Sequence, residues 1–234
     1  RITLRKGAGT KEKGQIKIAN VSLSGTAWNV KEGTEPSVFA VAGINNVDNA
    51  SYQPIFSDRR GDGKRVFDYL YGSVENYKST MDSANALDQS LNITFNTTSV
   101  AEVDDSLGEL QPAGELYANR NFKSMDFSQH KEFRFLLHST PSNAGTEFFM
   151  KVGTEQNYDK VVVPLDSNFD DWRLISLKMV DTNGDGVPDS FQDASDPSYN
   201  VKVYNRRTGK GTLNFREVSL ILTGVQKPLG QTGS

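Results

Sequence analysis

The 234-residue chain contains no cysteine. Disulfides, thiolate nucleophiles and Cys-ligated zinc or iron–sulfur sites are thereby excluded. It has no excess of basic charge. The 26 Lys and Arg stand against 29 Asp and Glu, a net charge of −3, which offers no electrostatic footprint for nucleic acid or an anionic membrane. Long apolar runs are missing too. The longest, Phe133-Arg-Phe-Leu-Leu137 and Val161-Val-Val163, are strand-sized and far short of a membrane helix. Helical periodicity is nearly absent, residues 75–87 being the best candidate helix. Gly7-Ala-Gly9 has neither the spacing nor the strand–helix context of a phosphate loop. The opening Arg1-Ile-Thr-Leu4 shows no signal peptide and no starting Met, as in a mature secreted protein or an excised fragment.

What is present is alternation with a period of two, the signature of half-buried strands. Leu91, Ile93 and Phe95 alternate with Asn92, Thr94 and Asn96. Phe133, Phe135 and Leu137 are followed by Phe148, Met150 and Val152, then Val161, Val163 and Leu165, and Val218, Leu220 and Leu222. Turn residues such as Pro141-Ser-Asn-Ala-Gly145 and Asp166-Ser-Asn168 separate the runs. About ten strands at this spacing predict an all-β fold, an antiparallel β-sandwich or jelly roll of the galactose-binding-like kind with few short helices. One repeat stands out: Lys13-Gly-Gln-Ile-Lys-Ile-Ala-Asn-Val-Ser-Leu23 matches Lys210-Gly-Thr-Leu-Asn-Phe-Arg-Glu-Val-Ser-Leu220 without gaps. Residues 1–30 therefore read as the trailing strand of a preceding repeat or the N-terminal strand of the sandwich. Residues 31–228 read as the sandwich itself, and 229–234 as a linker or tail.

Among chemistry-bearing motifs, Asp181-Thr-Asn183-Gly-Asp185-Gly186-Val187-Pro-Asp189 has the calcium-loop spacing. A hard dication takes six or more oxygens, and alternate residues of a tight loop can supply them. Asp181, Asn183, Asp185, the Val187 carbonyl and Asp189 fill the expected positions. Gln192 stands where a bidentate Glu would be, and Asp193 is the candidate replacement. The site would be a structural Ca2+ site; the competing reading is a plain Asp/Asn/Gly turn. Trp28, Trp172 and Tyr158 are candidate platforms for a sugar ring, set against core packing of large aromatics. His130 and His138 read as surface histidines, eight residues apart along a strand and unable to share a metal. The carboxylate pairs Asp104-Asp105 and Asp170-Asp171 read as solvated loop charges. No catalytic constellation is legible, and the expectation is a non-enzymatic module.

Several segments, in order, resemble one family. They are Gly14-Gln-Ile-Lys-Ile-Ala-Asn-Val-Ser-Leu-Ser-Gly-Thr-Ala-Trp28, Val38-Phe-Ala-Val-Ala-Gly-Ile-Asn-Asn46 with Asn49-Ala-Ser-Tyr52, and Leu87-Asp-Gln-Ser-Leu91. Met125-Asp-Phe-Ser128 with Phe133-Arg-Phe-Leu-Leu-His138, Asn157-Tyr158 with Val163-Pro-Leu165, and Leu220-Ile-Leu-Thr-Gly-Val225 complete the set. The pattern is similar to SprA-type (Sov) proteins, the giant outer-membrane translocon of the type IX secretion system. The resemblance implies a β-sandwich insert of a bacterial cell-envelope protein, outer-membrane-associated or extracellular and linked to protein export and gliding motility. It would not itself span the membrane. Its partners would be other domains of the same protein or other envelope subunits. The 181–189 loop lies outside that pattern. A carbohydrate-binding module of a secreted protein is the alternative.

Overall fold

The computed structural model describes residues 28–45, 49, 89–104, 112, 114–169, 172–207, 213 and 215–230. The first copy of the repeat, the candidate helix at 75–87, the Asp170-Asp171 pair and the tail from 231 lie outside the described residues, as does most of the 1–30 segment.

Twelve strands are described: β1 (Asn29–Val30), β2 (Phe39–Asn45), β3 (Gln89–Phe95), β4 (Glu102–Val103), β5 (Leu116–Met125), β6 (Glu132–His138), β7 (Thr146–Gly153), β8 (Tyr158–Leu165), β9 (Trp172–Val180), β10 (Ser190–Asp193), β11 (Lys202–Arg206) and β12 (Val218–Pro228). Three short 3-10 turns are the helical content among the described residues. The fold is all-β, as the alternation predicts. No described helix is long and apolar enough to cross a membrane.

The large sheet runs β1-β5-β12-β7-β8-β11, with β4 added in parallel at the end of β12. A three-stranded sheet, β10-β9-β6, and a two-stranded sheet, β2-β3, form the smaller pieces. Among the described strands every pairing except β4–β12 is antiparallel. Most of these pairs join strands far apart in the chain, such as β5 and β12 or β8 and β11. What the pairing establishes is an antiparallel sandwich, not a jelly-roll order.

The main core lies between the large and three-stranded sheets. Phe148, Val152, Val161, Val163 and Leu165 project from β7 and β8 to meet Ile175, Leu177 and Phe191 from β9 and β10. Rings interlock there, Phe191 lying 4.7 Å from Phe215 and 5.6 Å from Phe133. A second cluster, Phe39, Val100, Ala118 and Val225 with Trp28, seats the β2–β3 pair on the same sheet. Each such side chain contributes roughly 1.5–3 kcal/mol when withdrawn from water.

The expectation of half-buried strands fails on the other face of the large sheet. Glu147, Phe149 and Lys151 alternate with Phe148, Met150 and Val152 on β7, and the first set is as buried as the second except at Met150, which is only partly buried. Tyr117, Phe149, Val162 and Leu222 form a third cluster there. An antiparallel sheet commonly leaves one face wet; both faces of this one are closed at its centre.

Candidate functional site

A groove of about 730 Å³ opens between β3 and β6. Consecutive residues line it from both strands: Ser90, Leu91, Asn92 and Ile93 on one side, and Phe135 through His138 on the other. Successive strand residues point to opposite faces, so a wall built of consecutive residues is a strand edge. Among the described strands β3 pairs only with β2, and β6 only with β9. The floor includes Phe148, Met150 and Thr223 of the large sheet. Among the described residues, two fragments of the second layer thus face each other across a gap floored by the first layer, where Phe148 and Thr223 are buried and Met150 is partly buried.

Trp28 and Trp172, the chain's two tryptophans, both line this groove. Trp28 leads into β1 and packs on the cluster around Phe39. Trp172 starts β9 directly opposite His138 on β6, and their rings lie 5.2 Å apart. His138 is therefore no simple surface histidine; His130 is exposed, set edge-on to Phe127 at 6.1 Å. Leu91 on the groove wall is 37% exposed, and the only other exposed large apolar residue among those described is Leu229. Amides add polar character: Asn143 donates to Ser139 at 3.1 Å, and Asn49 accepts from the Asn45 amide at 3.0 Å. Among the described lining residues no Asp, Glu, Lys or Arg occurs. Tyr158, the third candidate platform, is elsewhere. It is 3% exposed, with the Lys151 ammonium 5.5 Å from its ring centre, so it presents no open face to a sugar.

The 181–189 loop connects β9 to β10. Its side chains fold back on its own amides. Asp181 accepts from Gly184 and Gly186, each at 2.7 Å; Asn183 accepts from Asp185 at 2.9 Å; Asp185 accepts from Val187 at 2.8 Å. Gly184 and Gly186 take φ of +78° and +84°, which suits residues without a Cβ. The Gly186 amide first, then that of Gly184, holds the Asp181 carboxyl below its ordinary range. Two of the expected ligands stand apart. Asp189 is buried and caps Thr182, accepting from its amide and hydroxyl at 2.9 Å. Asp193 pairs with Leu177, three ladder positions beyond Ser190 and thus roughly 10 Å from the loop's base. Among the described residues no group of three His, Cys, Asp or Glu side chains converges as a metal shell would.

The most densely built polar cluster is one the alternating pattern hides. On the far face of the large sheet, Glu115 accepts from Lys151 at 2.7 Å and from Lys160 at 2.8 Å. Lys160 also donates to the Gln226 carbonyl oxygen at 2.5 Å, and the Gln226 amide nitrogen donates to Glu147 at 2.9 Å. Lys202 approaches Glu147 at 3.5 Å from the surface. The other five side chains are buried. A second buried ion pair ties the layers together. Arg207 donates to Asp159 at 2.8 Å and to the Asp189 carbonyl at 2.7 Å, while the Phe191 amide donates to Asp159. Burial pushes the Asp159 carboxyl up, against the opposing pull of Arg207. No family model, curated protein or solved structure matches the chain.

Proposed function

We propose that this chain is a non-catalytic β-sandwich module of a large bacterial cell-envelope protein, of the kind its resemblance to SprA-type translocons implies. Its work is structural and partner-docking. The groove between β3 and β6 is where a partner is received. One observation carries this reading: among the described residues, two strand edges face each other over an apolar floor, with an exposed leucine and both tryptophans in the lining. Exposed strand edges are templates for pairing with another chain. The buried charges described above face one another and not a cleft, which also favours a framework role.

The second reading, a carbohydrate-binding module, is favoured by the same tryptophans. Aromatic faces beside Asn and His side chains are the chemistry that holds a neutral sugar. Because both tryptophans line the groove, their emission reports on it alone. A panel of neutral oligosaccharides and a short alternating strand-forming peptide are titrated while emission is followed. A saturable change with the peptide supports docking, and one with a saccharide supports the alternative. No change with either defeats the groove as the working surface.

A structural calcium ion on the 181–189 loop belongs to the proposal in reduced form. Asp181, Asn183, Asp185 and the Val187 carbonyl are its donors, without Asp189 and Asp193. The ligand spacing and the exposed acidic tip support it.

A further inference from the structure

We infer that Lys160 and Gln226 form an intramolecular isopeptide bond, the Lys160 Nζ joined to the Gln226 Cδ with loss of ammonia. The two residues sit on β8 and β12, the strands on either side of β7. Lys160 stands opposite Lys151, and Gln226 opposite Glu147, so both side chains project to the same far face. The Lys160 Nζ lies 2.5 Å from the Gln226 Oε1, one bond from the carbon to be attacked. Neither side chain is open to solvent.

Each partner has its own carboxylate. Glu115 Oε1 lies 2.8 Å from the Lys160 Nζ, and Glu147 Oε2 accepts from the Gln226 Nε2 at 2.9 Å. The Phe149 ring closes the pocket, its centre 5.0 Å from the Lys160 Nζ. In water an ammonium ion does not attack an amide. Out of water a charged group is costly to keep, and fixed neighbours react as if at very high concentration.

The step balances without an oxidant or reductant. Glu115 takes a proton from the Lys160 ammonium, and the freed amine attacks the Gln226 Cδ. The attacking nitrogen hands a second proton to Nε2, which Glu147 holds in place by accepting its other hydrogen; the Cδ–Nε2 bond breaks and ammonia leaves. It carries off the proton held by Glu115, which stays a carboxylate beside Lys151. One side-chain ammonium and one primary amide become one secondary amide and one ammonium ion.

The test is mass spectrometry of the purified full chain, intact and after tryptic digestion. The expected result is a mass short by one ammonia and a branched peptide joining the Lys160 and Gln226 segments, with no cleavage after Lys160. Ammonia can also leave from Asn183-Gly184 as a succinimide, so the branched peptide decides. Linear peptides ending at Lys160 and carrying intact Gln226 overturn the inference, whatever the intact mass. Glu147→Gln, verified as folded by circular dichroism, is expected to abolish or slow the branch by at least tenfold. An undiminished branch in that variant overturns the role given to Glu147.

Discussion

Lys151 and Glu115 meet at 2.7 Å with neither side chain exposed at all. Lys160 occupies the other oxygen of the same carboxylate. Before Lys160 is joined to Gln226, two ammonium groups therefore share one acid. Removing it with Glu115→Ala takes a buried counter-charge from both and is expected to destabilise the fold by about 3–5 kcal/mol. In chains that have not formed the Lys160–Gln226 bond, Lys151→Met leaves Glu115 paired with Lys160 and keeps the methylene packing, so about 1 kcal/mol or less is expected. Urea unfolding of the two variants checks the ordering; equal effects would mean that the two ammonium groups do not share the acid.

Gly224 on β12 lies opposite Tyr117 of β5 and Phe149 of β7. A Cβ there would meet the Leu116 carbonyl and come within 2.8 Å of the Tyr117 Cα. Those are backbone atoms held in the ladder and cannot swing aside. Gly224→Ala is expected to force β12 from β5 and lower stability by about 3 kcal/mol, read as a fall in the thermal midpoint. A change within measurement error would show that the ladder yields at that point.

Acid acts on opposite groups with opposite sign. Asp166 is held below its ordinary range by Arg173 and Asp126 by Ser128, and Asp181 is held low by the loop amides. A depressed carboxyl contributes stability that is complete above its unfolded value near 3.8 and lost as pH falls through the folded value. Asp159 is raised, so its contribution is complete below that unfolded value and lost as pH rises through the folded one. Thermal midpoints are expected to fall from about pH 4 downward. Asp166→Asn should flatten that limb by roughly 0.5–1 kcal/mol, since the pair is partly solvated. A limb of unchanged steepness would remove Asp166 from the account.

The loop at 181–189 gives a direct metal test. A ligand at a hundred times its dissociation constant adds roughly 2.7 kcal/mol to a fold that alone binds it. The calcium proposal expects a higher midpoint with calcium, reversed by EDTA and absent in Asp185→Ala. Identical midpoints in all conditions would leave a turn held by its own amides.

The groove predicts an asymmetry between the tryptophans and Tyr158. Trp172→Ala is expected to weaken ligand-induced emission changes at least tenfold while costing little stability, since the ring is only half-buried. Tyr158→Ala empties a buried position and is expected to cost about 3 kcal/mol without touching binding. Binding lost equally in both would trace the effect to general unfolding.

Strand content was readable from side-chain alternation because a pleated strand sends neighbours to opposite faces. The same rule misassigned Lys151, Lys160 and Glu147. They occupy polar positions that a one-sided sheet would give to water, and nothing local distinguishes a lysine that meets water from one that meets Glu115. Their partners are Glu115, just before β5, and Gln226 of β12, far away in sequence. The groove was half legible. Trp28 and Trp172 were candidates as residue types, but their convergence depends on where β3 and β6 stop short of each other. The spacing of the 181–189 loop marked a tight Asp-rich turn correctly. It could not show that Asp189 is committed to Thr182 or that Asp193 is carried down β10.

β12 occupies the middle of the large sheet, bonded to β5 on one side and β7 on the other, yet it follows both in the chain. A ribosome delivering this polypeptide releases β5, β7 and β8 before the strand that unites them. Until then β5 and β7 each hold an unfilled ladder, and the sheet has two halves with no seam. Closure waits on contacts between distant segments, which makes assembly slow and leaves those open ladders exposed to mispairing. The order of synthesis thus runs opposite to the order of the sheet: the strand that joins its two halves emerges only after both of them.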